Sequence, residues 1–131
     1  MTELARKIRQ TIESEDVVLF MKGTPEAVYC GNSARALEAL RALGAPVTAV
    51  DVLPDPAIRQ ELSALSNWPT IPQVFVGGEL VGGADIVEEL AATGELREKL
   101  DASLGADWPA RERTERVVEV APASNPFRLV P

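Results

Sequence analysis

The chain has 131 residues, of which 46% are hydrophobic and 25% charged, as expected for one globular domain with a modest core. A formal net charge of −7 disfavours unspecific binding to nucleic acid or to anionic membranes, and a single cysteine excludes an internal disulfide. The N-terminus is acidic and its apolar runs are too short for a targeting or membrane-spanning segment. We therefore expect a cytoplasmic protein in a reducing environment.

Helices and strands alternate through the first half of the chain. Thr2 is placed to cap a first helix, and the short apolar run Val17–Met21 is typical of a buried strand. A second helix is predicted from about Gly31 to Leu43, followed by a strand from Val47 to Val52. The pair Asp55-Pro56 is typical of an N-cap followed by the first residue of a third helix.

The second half of the domain begins with a hairpin. Two short runs, 73–76 and 79–81, flank Gly77-Gly78, which favours a two-residue turn. Asp85 is predicted to cap a fourth helix, and a fifth is expected from about Glu95 to Leu104. The order α-β-α-β-α-β-β-α-α predicts the α/β class, with a mixed sheet and helices on both of its faces.

The composition changes at about residue 105. We divide the chain into a domain of residues 1–104 and a Pro-rich C-terminal extension of residues 105–131, which holds four of the ten prolines. Such a segment is expected to be flexible or loosely docked. The alternative is that the run 117–120, Val-Val-Glu-Val, adds to an edge of the sheet.

Cys30 is the residue most suggestive of chemistry. It stands between a strand-like run and a helix-like run, at or near a helix start. Unpaired N–H groups and the positive end of the helix dipole would favour its thiolate there. The alternative role is that of a buried structural cysteine.

Four motifs in one order resemble those of the monothiol glutaredoxins of the CGFS type. They are Met21-Lys22-Gly23-Thr24-Pro25, Cys30-Gly31-Asn32-Ser33, Ser66-Asn67-Trp68-Pro69-Thr70-Ile71-Pro72-Gln73 and Gly78-Glu79-Leu80-Val81-Gly82-Gly83-Ala84-Asp85-Ile86. The resemblance covers about residues 1–104. It implies a thioredoxin fold, with a central four-stranded mixed sheet, flanking helices, an extra N-terminal helix and Pro72 in cis.

The same resemblance implies a glutathione site in which Cys30 supplies the thiolate. Lys22 and Arg59 would each pair with a glutathione carboxylate, and the backbone of Ile71 would bond glutathione as a strand does. The other end would be held by the backbone of Ala84 and by Asp85. Without the resemblance, Lys22 and Arg59 are equally well interpreted as solvated surface charges, and Asp85 as a helix cap.

Two positions depart from the family pattern. Asn32 stands where the family has phenylalanine, which changes how the sulfur is exposed, although the backbone N–H remains. Ala84 stands where the family often carries a further cysteine, and Ser33 replaces the resolving cysteine of dithiol enzymes. The chain therefore has no second thiol with which to resolve a mixed disulfide.

Three functions are compatible with a single thiol. A [2Fe–2S] cluster normally takes four ligands, which two Cys30 thiolates and two glutathiones would supply in a cluster-bridged homodimer. The resemblance implies carriage of such clusters to apo iron–sulfur proteins, in some cases with a BolA-like partner. One alternative is glutathione-dependent thiol–disulfide exchange through Cys30 alone. Another is a binding module whose specificity lies in the extension.

Overall fold

The computed structural model describes residues 1–121, which form a central sheet with helices on both faces. The helices are α1 (Glu3–Ser14), α2 (Gly31–Ala42), α3 (Pro56–Ser66), α4 (Ala84–Thr93), α5 (Glu95–Leu104) and a 3₁₀ turn (Trp108–Ala110). The strands are β1 (Val17–Met21), β2 (Gly23–Thr24), β3 (Ala27–Val28), β4 (Val47–Asp51), β5 (Gln73–Val76), β6 (Glu79–Gly82) and β7 (Glu115–Val117). Within residues 1–121, every helix is too short or too polar to cross a membrane.

The main sheet has five strands in the order β6-β5-β1-β4-β7. Strand β1 lies at its centre, parallel to β4 and antiparallel to β5. Strand β6 pairs antiparallel with β5 across the predicted Gly77-Gly78 turn. The mixed sheet predicted from the order of elements is therefore confirmed, with one additional strand at the β4 edge.

Two apolar clusters fill the space between the sheet and the helices. Alternate residues of β1 point to opposite faces, so that Leu19 packs with α2, α4 and α5, whereas Phe20 packs with α1 and α3. All five residues of β1 are buried, as its unbroken apolar run predicts. The Phe20 and Phe75 rings meet edge to face, with centroids 5.6 Å apart.

Side-chain caps set the starts of two helices, α1 and α3. Thr2 caps α1 by accepting a hydrogen bond from the N–H of Ala5 at 3.0 Å. Asp55 caps α3 in the same manner through the N–H of Ala57 at 2.9 Å, with Pro56 as the first helical residue. Both caps agree with the predictions from sequence.

The prediction for Asp85 as a helix cap is wrong. Gly83 is the N-cap of α4, with extended backbone angles of φ −92° and ψ −165°, so the helix begins at Ala84. Asp85 lies in the first turn instead, where its charge still complements the helix dipole. Its side chain is directed to Arg35 of α2, at 2.6 Å.

The C-terminal extension also differs from the expectation of a flexible segment over residues 105–121. Trp108 is 3% exposed and joins the cluster on the α5 face, and β7 pairs in parallel with β4. Val120 is buried against the opposite cluster. A strand does add to the sheet edge, as the alternative expected, but it covers residues 115–117 rather than 117–120. Residues 122–131 lie outside the described residues, and their predicted flexibility remains a prediction.

Candidate functional site

Cys30 is the N-cap of α2 and is half-buried. Its extended backbone, with φ −148° and ψ 127°, leads from the β2–β3 hairpin, which the sequence analysis did not predict, into the helix, whose start beside Cys30 it did predict. Its side chain makes no capping hydrogen bond, so the sulfur is left beside the open N–H groups of the first helical turn. A thiol in this position is accessible to reagents and lies at the positive end of a helix.

The surroundings of Cys30 favour its thiolate. Burial on its own would raise the pKa of the Cys30 thiol. The backbone and hydroxyl of Ser33, the backbone of Asn32 and the charge of Lys22 outweigh burial, so the pKa lies below its ordinary value. Ser33 is fully buried, and its hydroxyl also accepts the N–H of Lys22 at 3.1 Å. The serine that replaces a resolving cysteine therefore has a structural role in this site.

A groove of about 440 Å³ lies beside the first turn of α2, within the size range of small-molecule sites. We call it the Asp85 groove. Asn32 connects it to the Cys30 turn. Its lining is Asn32, Trp68, Thr70, Ile71, Pro72, Gly83, Ala84, Asp85 and Ile86. The Ile71–Pro72 peptide bond is cis, as the resemblance implied.

Two glycines allow close packing at the start of α4, beside this groove. Gly82 has φ +146°, a conformation that residues with a side chain rarely adopt, and a Cβ there would lie 2.9 Å from Ile86. A Cβ on Gly83 would lie 3.3 Å from the carbonyl oxygen of Pro72. Gly83 therefore lets the cis-proline segment approach the N-terminus of α4, where open N–H groups favour an anionic ligand.

A second groove, of about 500 Å³, contains the predicted cationic residues. We call it the Lys22 groove, and its lining is Lys22, Val52, Leu53, Pro56, Arg59, Gln60 and Ser63. Arg59 donates a hydrogen bond to the carbonyl oxygen of Pro69 at 3.3 Å, so this groove and the Asp85 groove both border segment 68–72. The structure thus brings Lys22 and Arg59 together, as predicted for a carboxylate-binding end.

The structure also shows residues at the two grooves that the sequence analysis did not name as site residues. Gln60 lines the Lys22 groove and Thr70 the Asp85 groove. Arg35 contacts Asn32 and Asp85 from one side of the Asp85 groove. Gln60 could have been found from its position next to Arg59 on α3, but the Arg35–Asp85 contact joins residues 50 positions apart and leaves no local signal.

No group of three or more His, Cys, Asp or Glu side chains is placed to hold a metal ion within residues 1–121. The donor chemistry near the site is one sulfur, that of Cys30, with hydroxyl and amide groups around it. Cys30 could therefore supply one ligand of a thiolate-bound metal centre, and the other ligands would have to come from outside this chain.

Known proteins agree with this geometry. The glutaredoxin family model matches residues 17–81. "Glutaredoxin 4" of Pasteurella multocida is 47% identical over 107 residues, which is 82% of this chain and 97% of that protein. A monothiol glutaredoxin of the ycf64-like type from Synechocystis, itself described as uncharacterized, is 46% identical over 79% of this chain and 97% of that protein.

Solved structures extend the agreement to three dimensions. The crystal structure of a buckwheat glutaredoxin–glutathione complex superposes with a TM-score of 0.69, at 28% identity, over 78% of this chain and 91% of that chain. The thioredoxin fold implied by the motifs is thus confirmed. With four motifs in order, one thiol at a helix start and relatives matched over nearly their whole length, the chain belongs to the monothiol glutaredoxins.

Proposed function

We propose that this protein binds glutathione and, as a homodimer, carries a [2Fe–2S] cluster as cargo for apo iron–sulfur proteins. The observation that carries the proposal is the position of Cys30. It is the only thiol of the chain, it is half-buried at a helix start, and its pKa is lowered. A cysteine of this kind is a competent ligand for iron because the thiolate is the binding form.

Glutathione fits the two grooves on chemical grounds. It carries a carboxylate at each end and an ammonium at one of them. Lys22 and Arg59 provide cations in one groove, and the N-terminus of α4 with Asp85 provides complementary groups in the other. Ile71, beside the cis proline, would bond the glutathione backbone, and Ala84 would offer its N–H to the same end as Asp85. The glutathione complex of the buckwheat relative supports the assignment.

The ligand count supports a dimer. A [2Fe–2S] cluster takes four ligands, commonly thiolates, and this chain has one cysteine and no histidine. Two Cys30 thiolates and the thiolates of two glutathiones complete the set. Half of the ligands are then exchangeable small molecules, which suits transfer more than permanent storage. A BolA-like protein is a further candidate partner, on the strength of the family resemblance.

Anaerobic reconstitution with iron, sulfide and glutathione tests the proposal. The expected product is a brown dimer with visible absorption, in which mass analysis finds one cluster and two glutathiones per two chains. Cys30→Ser should abolish the colour and the dimer together, whereas Asn32→Phe, which restores the family residue, should keep both and change cluster lifetime. A colourless monomeric wild type, or a coloured Cys30→Ser dimer, would contradict the proposal.

The grooves can be tested without the cluster. Arg59→Ala should weaken glutathione binding by about 1–2 kcal/mol through loss of a charge-assisted contact, measured by titration calorimetry. Arg9→Ala is a matched control, because Arg9 is an exposed arginine on α1 that lines neither groove. Equal affinity in the Arg59→Ala variant and the wild type would show that the Lys22 groove is not the carboxylate site.

The lowered pKa of Cys30 also favours a second candidate, glutathione-dependent thiol–disulfide exchange. The Cys30 thiolate would attack the glutathione sulfur of a protein–glutathione disulfide, forming a Cys30–glutathione disulfide and releasing the protein thiolate. A second glutathione thiolate would then attack that glutathione sulfur, giving oxidised glutathione and free Cys30. Turnover comparable to that of a dithiol glutaredoxin would make thiol–disulfide exchange the favoured function. Slow turnover in a protein that holds a stable cluster would support cluster transfer.

A further inference from the structure

Arg35 connects the two helices that border the Asp85 groove. From the second turn of α2, one guanidinium nitrogen donates to the amide oxygen of Asn32 at 3.1 Å, and another donates to Asp85 at 2.6 Å. The same guanidinium pairs with Glu88 of α4, through Nε at 3.1 Å and through a second nitrogen. One side chain thus spans from the residue two positions after Cys30 to the start of α4.

These ion pairs are expected to contribute little to the free energy of unfolding. The side chains of Arg35, Asp85 and Glu88 are 42%, 90% and 44% exposed, and ion pairs so open to water contribute little to folding. The position of the network beside the groove points instead to a role in ligand binding. Asn32 and Asp85 both line the groove, whereas Arg35 reaches them from its border.

The charge of the groove depends on this contact. Asp85 is the one carboxylate among the described residues that line it. Arg35 lies 2.6 Å from the Asp85 carboxylate, and the N-terminus of α4 adds a positive field. A ligand that presents an ammonium here must share Asp85 with the guanidinium or displace it. A neutral or anionic ligand end meets no such competition.

Glu88 makes the competition persistent. It pairs with Arg35 separately from Asp85, so a ligand that takes the Asp85 carboxylate would leave the guanidinium a second partner at the border of the groove. The hydrogen bonds that Arg35 donates to Glu88 and Asp85 raise the pKa of Arg35 further above its ordinary value, and Arg35 lowers the pKa of Glu88. Arg35 and Glu88 therefore both remain charged throughout the neutral range.

We propose that Arg35 is a specificity-determining residue of the Asp85 groove, which competes with the ligand's ammonium for Asp85 and shifts preference toward thiols whose corresponding end is neutral or anionic. The inference rests on the proposed function, because it assumes that a small thiol of the glutathione type occupies the groove. The feature against which Arg35 discriminates is the ammonium group at the end of the thiol that meets Asp85.

Binding of glutathione and of N-acetylglutathione, whose amine is capped, tests the inference by titration calorimetry on the full chain. In Arg35→Gln, affinity for glutathione should rise about three- to tenfold, the range of one charge-assisted contact, while affinity for the capped form changes less than about twofold. Arg35→Lys should keep the wild-type preference. Arg6→Gln, which removes an exposed arginine of α1 paired with Glu3, is the matched control and should alter neither affinity.

A double variant distinguishes competition for the Asp85 carboxylate from a general structural effect of the Arg35 substitution. In Asp85→Asn, the additional change Arg35→Gln should no longer alter selectivity, because the contested charge is absent. If Arg35→Gln moves both ligands equally, or neither, Arg35 does not determine selectivity, although glutathione binding itself stands. If neither ligand binds any of the variants or the wild type, the proposed glutathione site fails, and the inference fails with it.

Discussion

The grooves beside Cys30 and the extension over residues 105–121 differ in what their side chains do. In the grooves, the side chains of Asp85 and Arg59 are exposed. In the extension, Trp108 is 3% exposed, and Glu115 makes two 2.8 Å hydrogen bonds to Arg41. The first region offers charges to a ligand, and the second adds to the core of the domain.

The comparison also separates what relatives share from what this chain adds. The relative from Pasteurella multocida matches 107 of the 131 residues, and the family model ends at residue 81. Strand β7 begins 34 positions beyond that limit and still joins the same sheet. The folded domain of this protein therefore extends further along the chain than the match to the family model.

The largest expected effect concerns the tryptophan. Trp108→Ala should lower the free energy of unfolding by about 3–5 kcal/mol, because it removes a buried ring and its 2.7 Å hydrogen bond to Asp101. Urea denaturation followed by circular dichroism measures the loss. Glutathione affinity of the folded variant should be unchanged. A stability loss below about 1 kcal/mol would mean that the extension does not belong to the core.

A proline pair tests the added strand. The N–H of Val118 donates to the carbonyl oxygen of Ala49 at 2.9 Å. Val118→Pro should therefore cost about 1–3 kcal/mol, through the lost bond and the unpaired carbonyl group. Successive N–H groups of a strand point to opposite edges, so that of Val117 points away from β4, and Val117→Pro is the matched control. Equal stability of the two variants in urea would contradict the β4–β7 pairing.

The ion pair between α2 and β7 should have a smaller, pH-dependent effect. Arg41 lowers the pKa of Glu115 below its ordinary value of 4.5, chiefly by hydrogen bonding. The stabilisation is therefore present above that value and is lost as pH falls through the lowered pKa. Arg41→Met should cost about 1–2 kcal/mol at pH 7 and flatten this part of the pH profile of stability. An unchanged profile in urea titrations from pH 7 to pH 3 would contradict the assignment.

The smallest effect is expected at the thiol. Ser33→Ala and Lys22→Gln each remove an influence that lowers the pKa of Cys30, so both should raise it. The rate of alkylation by iodoacetamide, followed against pH, should then reach its midpoint at higher pH than in the wild type. A midpoint that does not move in either variant would show that the thiolate is stabilised by the helix terminus alone.

Sequence reasoning succeeded where the signal is local. Thr2 and Asp55 cap their helices through neighbours two or three positions away, and Gly77-Gly78 specifies its hairpin. It failed at Asp85, where the backbone of Gly83 begins the helix first. It also missed the Arg41–Glu115 pair, whose partners are 74 positions apart. Such contacts depend on tertiary packing, which neither composition nor periodicity records.

The short strand β7 has a consequence for handling the protein. A strand at the end of a sheet is a template for pairing with other chains, and β4 would be that strand if the polypeptide stopped at residue 104. The present edge is three residues long, contains the charged side chain of Arg116 and is followed closely by Glu119, features that discourage aggregation. A shortened chain that ends at residue 104 would therefore leave β4 uncovered, and we expect it to form amyloid-like or swapped assemblies more readily during purification.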